Sequence, residues 1–197
     1  AGSLFVVKFD SQGVTQWAKR HGDPAKSASG EGITVGPQGE LIVTGSFKGK
    51  ITFGSMMLSN NGGLDHLVVA RLDRSSGAPV WAKALHSAGA GVGHAVSVDA
   101  SGRVYVVGDF GGNALHGTSP LVNAGGKDAC LLCYDSSGQP LWGKRFGGPG
   151  ADQAFGVAAQ PNGRVFLGGK FSQTASFDSV QRTAAGSSDI FWLRVGP

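Results

Sequence analysis

At 197 residues, 41% hydrophobic and 15% charged, the chain has enough apolar content to bury a core and too few charges for a disordered segment. Its 34 glycines follow no Gly-x-y period, which excludes collagen, and no apolar run reaches the roughly 18 residues of a membrane-spanning helix. The net charge of +4 is spread along the chain, with no Lys/Arg run to track a phosphate backbone, so no nucleic-acid partner is expected.

The chain opens Ala1-Gly2-Ser3-Leu4, without an initiator Met or a signal-peptide pattern, and so reads as a chain with its leader removed or as a piece of something longer. Its first predicted element is the apolar run Leu4–Asp10, with Asp10 opening a tight turn through Gly13 into a strand that carries Trp17. Gly32–Val35 is a short strand, turned by Gly36-Pro37-Gln38-Gly39 into a second one. That second strand alternates as Leu41, Val43, Gly45 and Phe47, a period of two that marks β-structure. A looser stretch of about 15 residues follows and ends in a Gly-rich turn; the apolar run Leu67–Asp73 and a Trp81 strand come next.

The whole series then recurs. Ala95–Asp99 turns at Gly102 into Val104, Val106, Gly108 and Phe110, then Ala129–Asp135 leads to Trp142. Gly156–Gln160 turns at Gly163 into Val165, Leu167, Gly169 and Phe171, and Ile190–Val195 follows. Gly-x-x-x-Trp, Gly-x-Phe and the run ending in Asp keep one register with a period of about 62 residues. Four antiparallel strands per period, with aromatic punctuation, define an all-β fold of β-propeller type with three repeats present. The predicted units are residues 4–31 (third and fourth strands of a first blade), 32–94, 95–155, and 156–197 (the inner three strands of a last blade), within one region spanning 1–197.

Several positions have predicted structural roles. Trp17, Trp81 and Trp142 are expected to wedge between sheets and to be equivalent under the repeat. Gly45, Gly108 and Gly169 mark a close approach of a neighbouring backbone or ring. Lys8, Arg71, Cys133 and Arg194 share one position in the third strand and should reach past its rim. Cys130 and Cys133, three apart on a strand, point to opposite faces about 10 Å apart, beyond the roughly 7 Å that a disulfide spans, so both are expected to fill the core.

The combination of apolar strand, Asp-Ser-x-Gly, x-x-Trp-x-Lys and Val-x-Val-x-Gly-x-Phe resembles the bacterial SBBP β-propeller repeat family, and the third copy matches best, through Cys130–Asp135, Trp142-Gly143-Lys144-Arg145-Phe146-Gly147-Gly148 and Asp152–Val157. The resemblance covers essentially the whole chain. It implies an extracytoplasmic bacterial protein, often of many repeats, and no defined activity. Two departures affect single loops: Leu85-His86-Ser87 replaces Phe-Gly-Gly, and His66 is read as an extra residue before the third strand. A weaker likeness, to the tryptophan-docking motif of quinoprotein propellers, concerns packing and implies no quinone.

Candidate functional residues are few. Asp65, Asp128 and Asp189 each follow a Gly-rich turn; one carboxylate per turn is too little for calcium, so each is expected to cap its own turn. Glu31, His94 and Phe155 hold equivalent places before the innermost strand, with Asp152 close by, and Glu31, His94 and Asp152 are the candidate ligand contacts. His21, His66, His86 and His116 share no ligand spacing, no metal or organic cofactor is expected, and no catalytic elbow, zincin or P-loop motif occurs.

These features imply a non-catalytic interaction scaffold that binds a protein or glycan partner through its loops. The alternatives are a structural or assembly module of a larger surface or secreted repeat protein, and a glycan-active propeller enzyme. Leu4–Asp10 and Ile190–Val195 are copies of one strand and would compete for one place in a closed three-blade ring. The chain is therefore expected to be a segment of a longer repeat protein or half of an oligomeric ring, most simply two chains giving six blades.

Overall fold

The computed structural model describes residues 2–23, 26–60 and 63–196, and every regular element among them is a strand. β1 (Leu4–Phe9) and β2 (Thr15–His21) form a two-stranded first module. The second module is the antiparallel sheet β3-β4-β7-β8, made of β3 (Ala28–Val35), β4 (Leu41–Lys48), β7 (Asp65–Leu72) and β8 (Pro79–Ala84). The third repeats that order with β9 (Gly91–Val98), β10 (Val104–Gly111), β13 (Lys127–Tyr134) and β14 (Pro140–Phe146). The fourth contains β15 (Gln153–Ala159), β16 (Val165–Phe171) and β19 (Asp189–Val195).

Two expectations are corrected. The looser stretch after each second strand is a small hairpin: β5 (Lys50–Phe53) with β6 (Met56–Ser59), β11 (Ala114–His116) with β12 (Ser119–Leu121), and β17 (Thr174–Phe177) with β18 (Val180–Thr183). Strands of three or four residues are too short for their alternation to stand out from a loop. The innermost strands also begin earlier than Gly32, Ala95 and Gly156, because each contains a bulge that breaks its alternation.

The modules stack face to face through three apolar clusters. Leu4 and Val6 meet Val43, Val68 and Ala70; Leu67, Val69 and Trp81 meet Val106, Leu132 and Tyr134; Leu131 and Cys133 meet Leu167, Phe191 and Val195. Each buried side chain of this size contributes about 1.5–3 kcal/mol. β7 and β13 are buried on both faces, which is why they read as continuous apolar runs. Cys130 and Cys133 are free, buried and unpaired with each other.

Polar contacts set the register of the stack. The Trp17 indole N–H donates to the Arg74 carbonyl at 3.3 Å, and that of Trp81 to the Ser136 carbonyl at 3.1 Å. The cation paired across the strand from each Trp joins the same carbonyl: Lys8 Nζ reaches Arg74 O at 3.4 Å and Arg71 Nη1 reaches Ser136 O at 2.9 Å. Each ring lies over the turn glycine of the next module, so a Cβ on Gly77 would sit 2.8 Å from Trp17, and one on Gly138 2.6 Å from Trp81. The small hairpins clasp the preceding module, through Gly22 N to Thr52 O, Ala88 N to Asn113 O, and Gly147 with Ser176 in both directions. The three tryptophans are not equally buried: Trp81 is 6% exposed, whereas Trp17 and Trp142 are only half-buried. Trp81 alone lies between two four-stranded sheets.

Candidate functional site

In each innermost strand one residue has no cross-strand partner. The register slips between Gly30 and Gly32, between Gly93 and Ala95 opposite Val107 and Gly108, and between Ala154 and Gly156. The unpaired residues are Glu31, His94 and Phe155. Sequence analysis placed them in a loop before the strand, whereas they are the bulged residues within it. A bulge bends its strand and re-aims the extra side chain.

The bulge also accounts for the Gly-x-Phe motif. It pushes the carbonyls of Ser29, Val92 and Gln153 onto the points where a Cβ on Gly45, Gly108 and Gly169 would lie. Any larger residue would collide with backbone of its own sheet. The close approach read from these glycines is therefore real, and its source is the bulge opposite.

Around His94 the third and fourth modules build a polar cluster. Asp109, on β10, is fully buried and accepts hydrogen bonds from Lys127 Nζ (2.7 Å), Gln153 Nε2 (2.8 Å) and His94 Nε2 (2.8 Å). Burial opposes its charge, but these three donors outweigh that and hold its carboxyl below the usual range. An ionised Asp109 requires a proton on His94 Nε2, and in the neutral ring that makes Nδ1 the acceptor. Among the described residues nothing hydrogen-bonds Nδ1. The His94 ring lies 5.1 Å from that of Phe155, which is 46% exposed, and Lys170 Nζ stands 5.7 Å above the Phe155 ring. The result is a half-exposed aromatic ring beside an imidazole whose Nε2 is held by Asp109, with a cation over the ring.

The other two candidate contacts lie elsewhere. Glu31 is exposed and lines a hollow of about 250 Å³ with Leu4, Val6, Ile33 and Val43. Asp152 is fully buried; its Oδ2 accepts from Gly148 N (2.8 Å) and its Oδ1 from Ser172 N (3.0 Å). It ties the loop after β14 to the end of β16 and does not join His94. Sequence reasoning missed Asp109, because its repeat equivalents are Ser46 and Lys170 and no pattern recurs.

Asp152 has a second buried carboxylate for a neighbour. Asp128 Oδ2 accepts from Ala124 N at 2.7 Å and lies 3.7 Å from Arg145, while its Oδ1 has no hydrogen-bond partner among the described residues. Burial, reinforced by the charge of Asp152, raises the Asp128 carboxyl to about 6, against the pull of the Ala124 amide and Arg145. Asp189 caps its turn in the same way, accepting from Ala185 N at 2.9 Å. Strand register corrects the third member of this set. Phe110 faces Asp128 and Phe171 faces Asp189, but Phe47 faces His66, so His66 rather than Asp65 holds the equivalent place and is not an extra residue. The turn before Asp65 includes residues 61 and 62, which lie outside the described residues.

Among the described residues no three His, Cys, Asp or Glu side chains converge as a metal-binding group, and no helix is long and apolar enough to cross a membrane. No protein-family model matches the chain, and none of the curated proteins searched is detectably similar to it. The fold defines an all-β protein of repeating antiparallel sheet modules, four-stranded in the second and third.

Proposed function

We propose that the modules are blades of a β-propeller-type repeat protein, present as an incomplete ring, and that the chain is a non-catalytic interaction scaffold. The repeated motifs that resemble the SBBP family support this reading, and with it a place outside the cytoplasm of a bacterium. The carrying observation is the bulge position. Its backbone geometry is the same in three modules, while its side chain changes from Glu31 to His94 to Phe155. A fixed frame with variable display is what partner recognition uses.

The partner is a protein or a glycan, and the site at His94 favours the glycan. The half-exposed ring of Phe155 offers apolar surface for a sugar, and the Nδ1 of a neutral His94 can accept from a hydroxyl. The two carboxylates that approach each other, Asp128 and Asp152, are buried and take backbone amides, which serves loop geometry rather than hydrolysis. A glycan array probed with the protein and with Phe155→Ala tests this. The expected result is a set of glycans retained by the protein and lost by the variant; signals that the variant leaves unchanged would overturn the assignment of the site.

A further inference from the structure

Residues 147–152 form the loop from β14 to β15, the covalent link between the third and fourth modules. Gly147 exchanges hydrogen bonds with Ser176, and Asp152 N donates to the Lys127 carbonyl at 2.7 Å. The Asp152 carboxylate in turn takes the amides of Gly148 and Ser172. The loop thereby fastens hairpin β17-β18 of the fourth module to the edge of the third.

Asp128 and Asp152 meet at the start of this loop. Both are fully buried, and Asp128 Oδ1 and Asp152 Oδ2 each lie 2.5 Å from the point that a Cβ on Gly147 would take. Glycine is required there twice over: its φ is +146°, and any side chain would displace a carboxylate. The neighbouring donors are already engaged. Asp152 accepts one amide on each oxygen, Asp128 Oδ2 accepts from Ala124 N, and Arg145 Nη1 donates to the Gly147 carbonyl at 2.9 Å. Asp128 Oδ1 is the oxygen left without a donor among the described residues. A carboxyl proton on it supplies that donor and removes one of two like charges. Burial and the charge of Asp152 favour the proton, against the Ala124 amide and Arg145, and place the carboxyl at about 6. The charged groups facing Asp128 are Arg145 from β14 and Asp152 from the loop; Lys127, its neighbour in β13, is engaged by Asp109 of β10.

The second module is built differently at this place. His66 and His86 lie two residues beyond the Val68–Ala84 pair, with ring centroids 5.8 Å apart, and the position of Asp152 is held by Gly91. Its connecting loop, residues 85–90, therefore has no carboxylate pair.

We infer that loop 147–152 is a proton-operated latch: one proton, held on Asp128 Oδ1 against Asp152, keeps it closed, and loss of that proton opens the loop and frees hairpin β17-β18. Without the proton, two buried carboxylates adjoin, and Arg145 is the one cation facing Asp128 among the described residues. The flanking strands are held by their ladders, so the loop is the part that yields.

Amide exchange measured residue by residue between pH 5 and 7.5, corrected for the intrinsic rate, tests the latch in the unaltered chain. Protection at Gly147, Gly148, Ser172 and Ser176 is expected to lie below that of the β13 amides and to fall about tenfold over that range. Ala88, which bonds the Asn113 carbonyl at the corresponding clasp of the second module, should show no such fall. Asp128→Asn, whose side-chain amide can donate where the proton did, should hold the four amides at their pH 5 protection throughout. It should also abolish a carboxylic-acid infrared band that titrates near pH 6 in the parent chain. Loop amides as protected as those of β13, protection in the parent chain that ignores pH, or a fall that Ala88 shares would each overturn the latch. So would an Asp128→Asn chain that keeps the pH dependence; if that variant does not fold, the series on the parent chain still decides.

Discussion

Between the second and third modules, Trp81 is 6% exposed, its N–H is bound by Ser136, and Arg71 reaches the same carbonyl. On the outer face of the fourth module Trp192, in the place of Val69, is 78% exposed, and Arg194, in the place of Arg71, has no partner among the described residues. The strand positions are equivalent at the two places, and what differs is whether a sheet lies opposite. A residue's contribution in this fold is thus set by its place in the stack as much as by its motif.

Tryptophan truncation should show the largest contrast. Trp81→Ala is expected to cost about 3–5 kcal/mol in chemical denaturation, as for a large buried aromatic. Trp17→Ala, at the half-open first module, should cost less than half of that. Equal losses would mean that burial between two complete sheets adds nothing and would break the comparison.

The buried aspartate should come next. Asp128 is fully buried, whereas its counterpart Asp189 is half-exposed because no further sheet covers it. The Asp128 carboxyl, at about 6, stands above its unfolded value, so the folded state binds the extra proton. Its contribution is therefore fully present below about pH 4 and is lost as pH rises through 6, by up to about 3 kcal/mol. Asp109 works in the opposite sense, since its lowered value adds stability at neutral pH that is lost on acidification below about pH 4. Asp128→Asn should flatten the slope between pH 4 and 7 and raise stability at pH 8. A variant with an unchanged slope would assign the pH dependence to another group.

Glycines at equivalent bulges sharpen the point. A Cβ on Gly32 would lie 2.9 Å from His94 O and 3.0 Å from Ala95 Cα, while one on Gly156 would meet nothing within 4 Å. Gly32→Ala is expected to cost about 1–3 kcal/mol by overpacking the junction. Gly156→Ala should be neutral, or stabilising by up to about 1 kcal/mol through the unfolded chain. Similar melting shifts for the two would refute the module contact.

The smallest effect belongs to the cations. Arg71→Met removes a 2.9 Å bond beside Trp81 and should cost about 1 kcal/mol. Lys8→Met removes a 3.4 Å bond at an exposed site and should lie within about 0.5 kcal/mol of the parent chain. The reverse order would show that these contacts do not grade with burial.

The four main strands of each repeat, the alternation of the second, the Asp–Gly turns and the repeat itself were legible in the sequence, because each follows from chemistry within a few residues, whereas the short hairpins β5-β6, β11-β12 and β17-β18 were not. Period two in Val104–Phe110, for example, needs no partner to be seen. Cys130 and Cys133 were readable for the same reason, since strand geometry alone puts them on opposite faces. The bulges were not legible: Glu31, His94 and Phe155 look like loop residues until the register with β4, β10 and β16 is known. The Asp109 cluster was hidden too, since it joins residues from β9, β10, β13 and β15 that share no motif. Tertiary structure alone decided that Asp152 is buried and ties two loops together, and that Trp81 and Trp142 differ in burial. Such outcomes depend on which sheet lies opposite a side chain, and a local pattern carries no record of that.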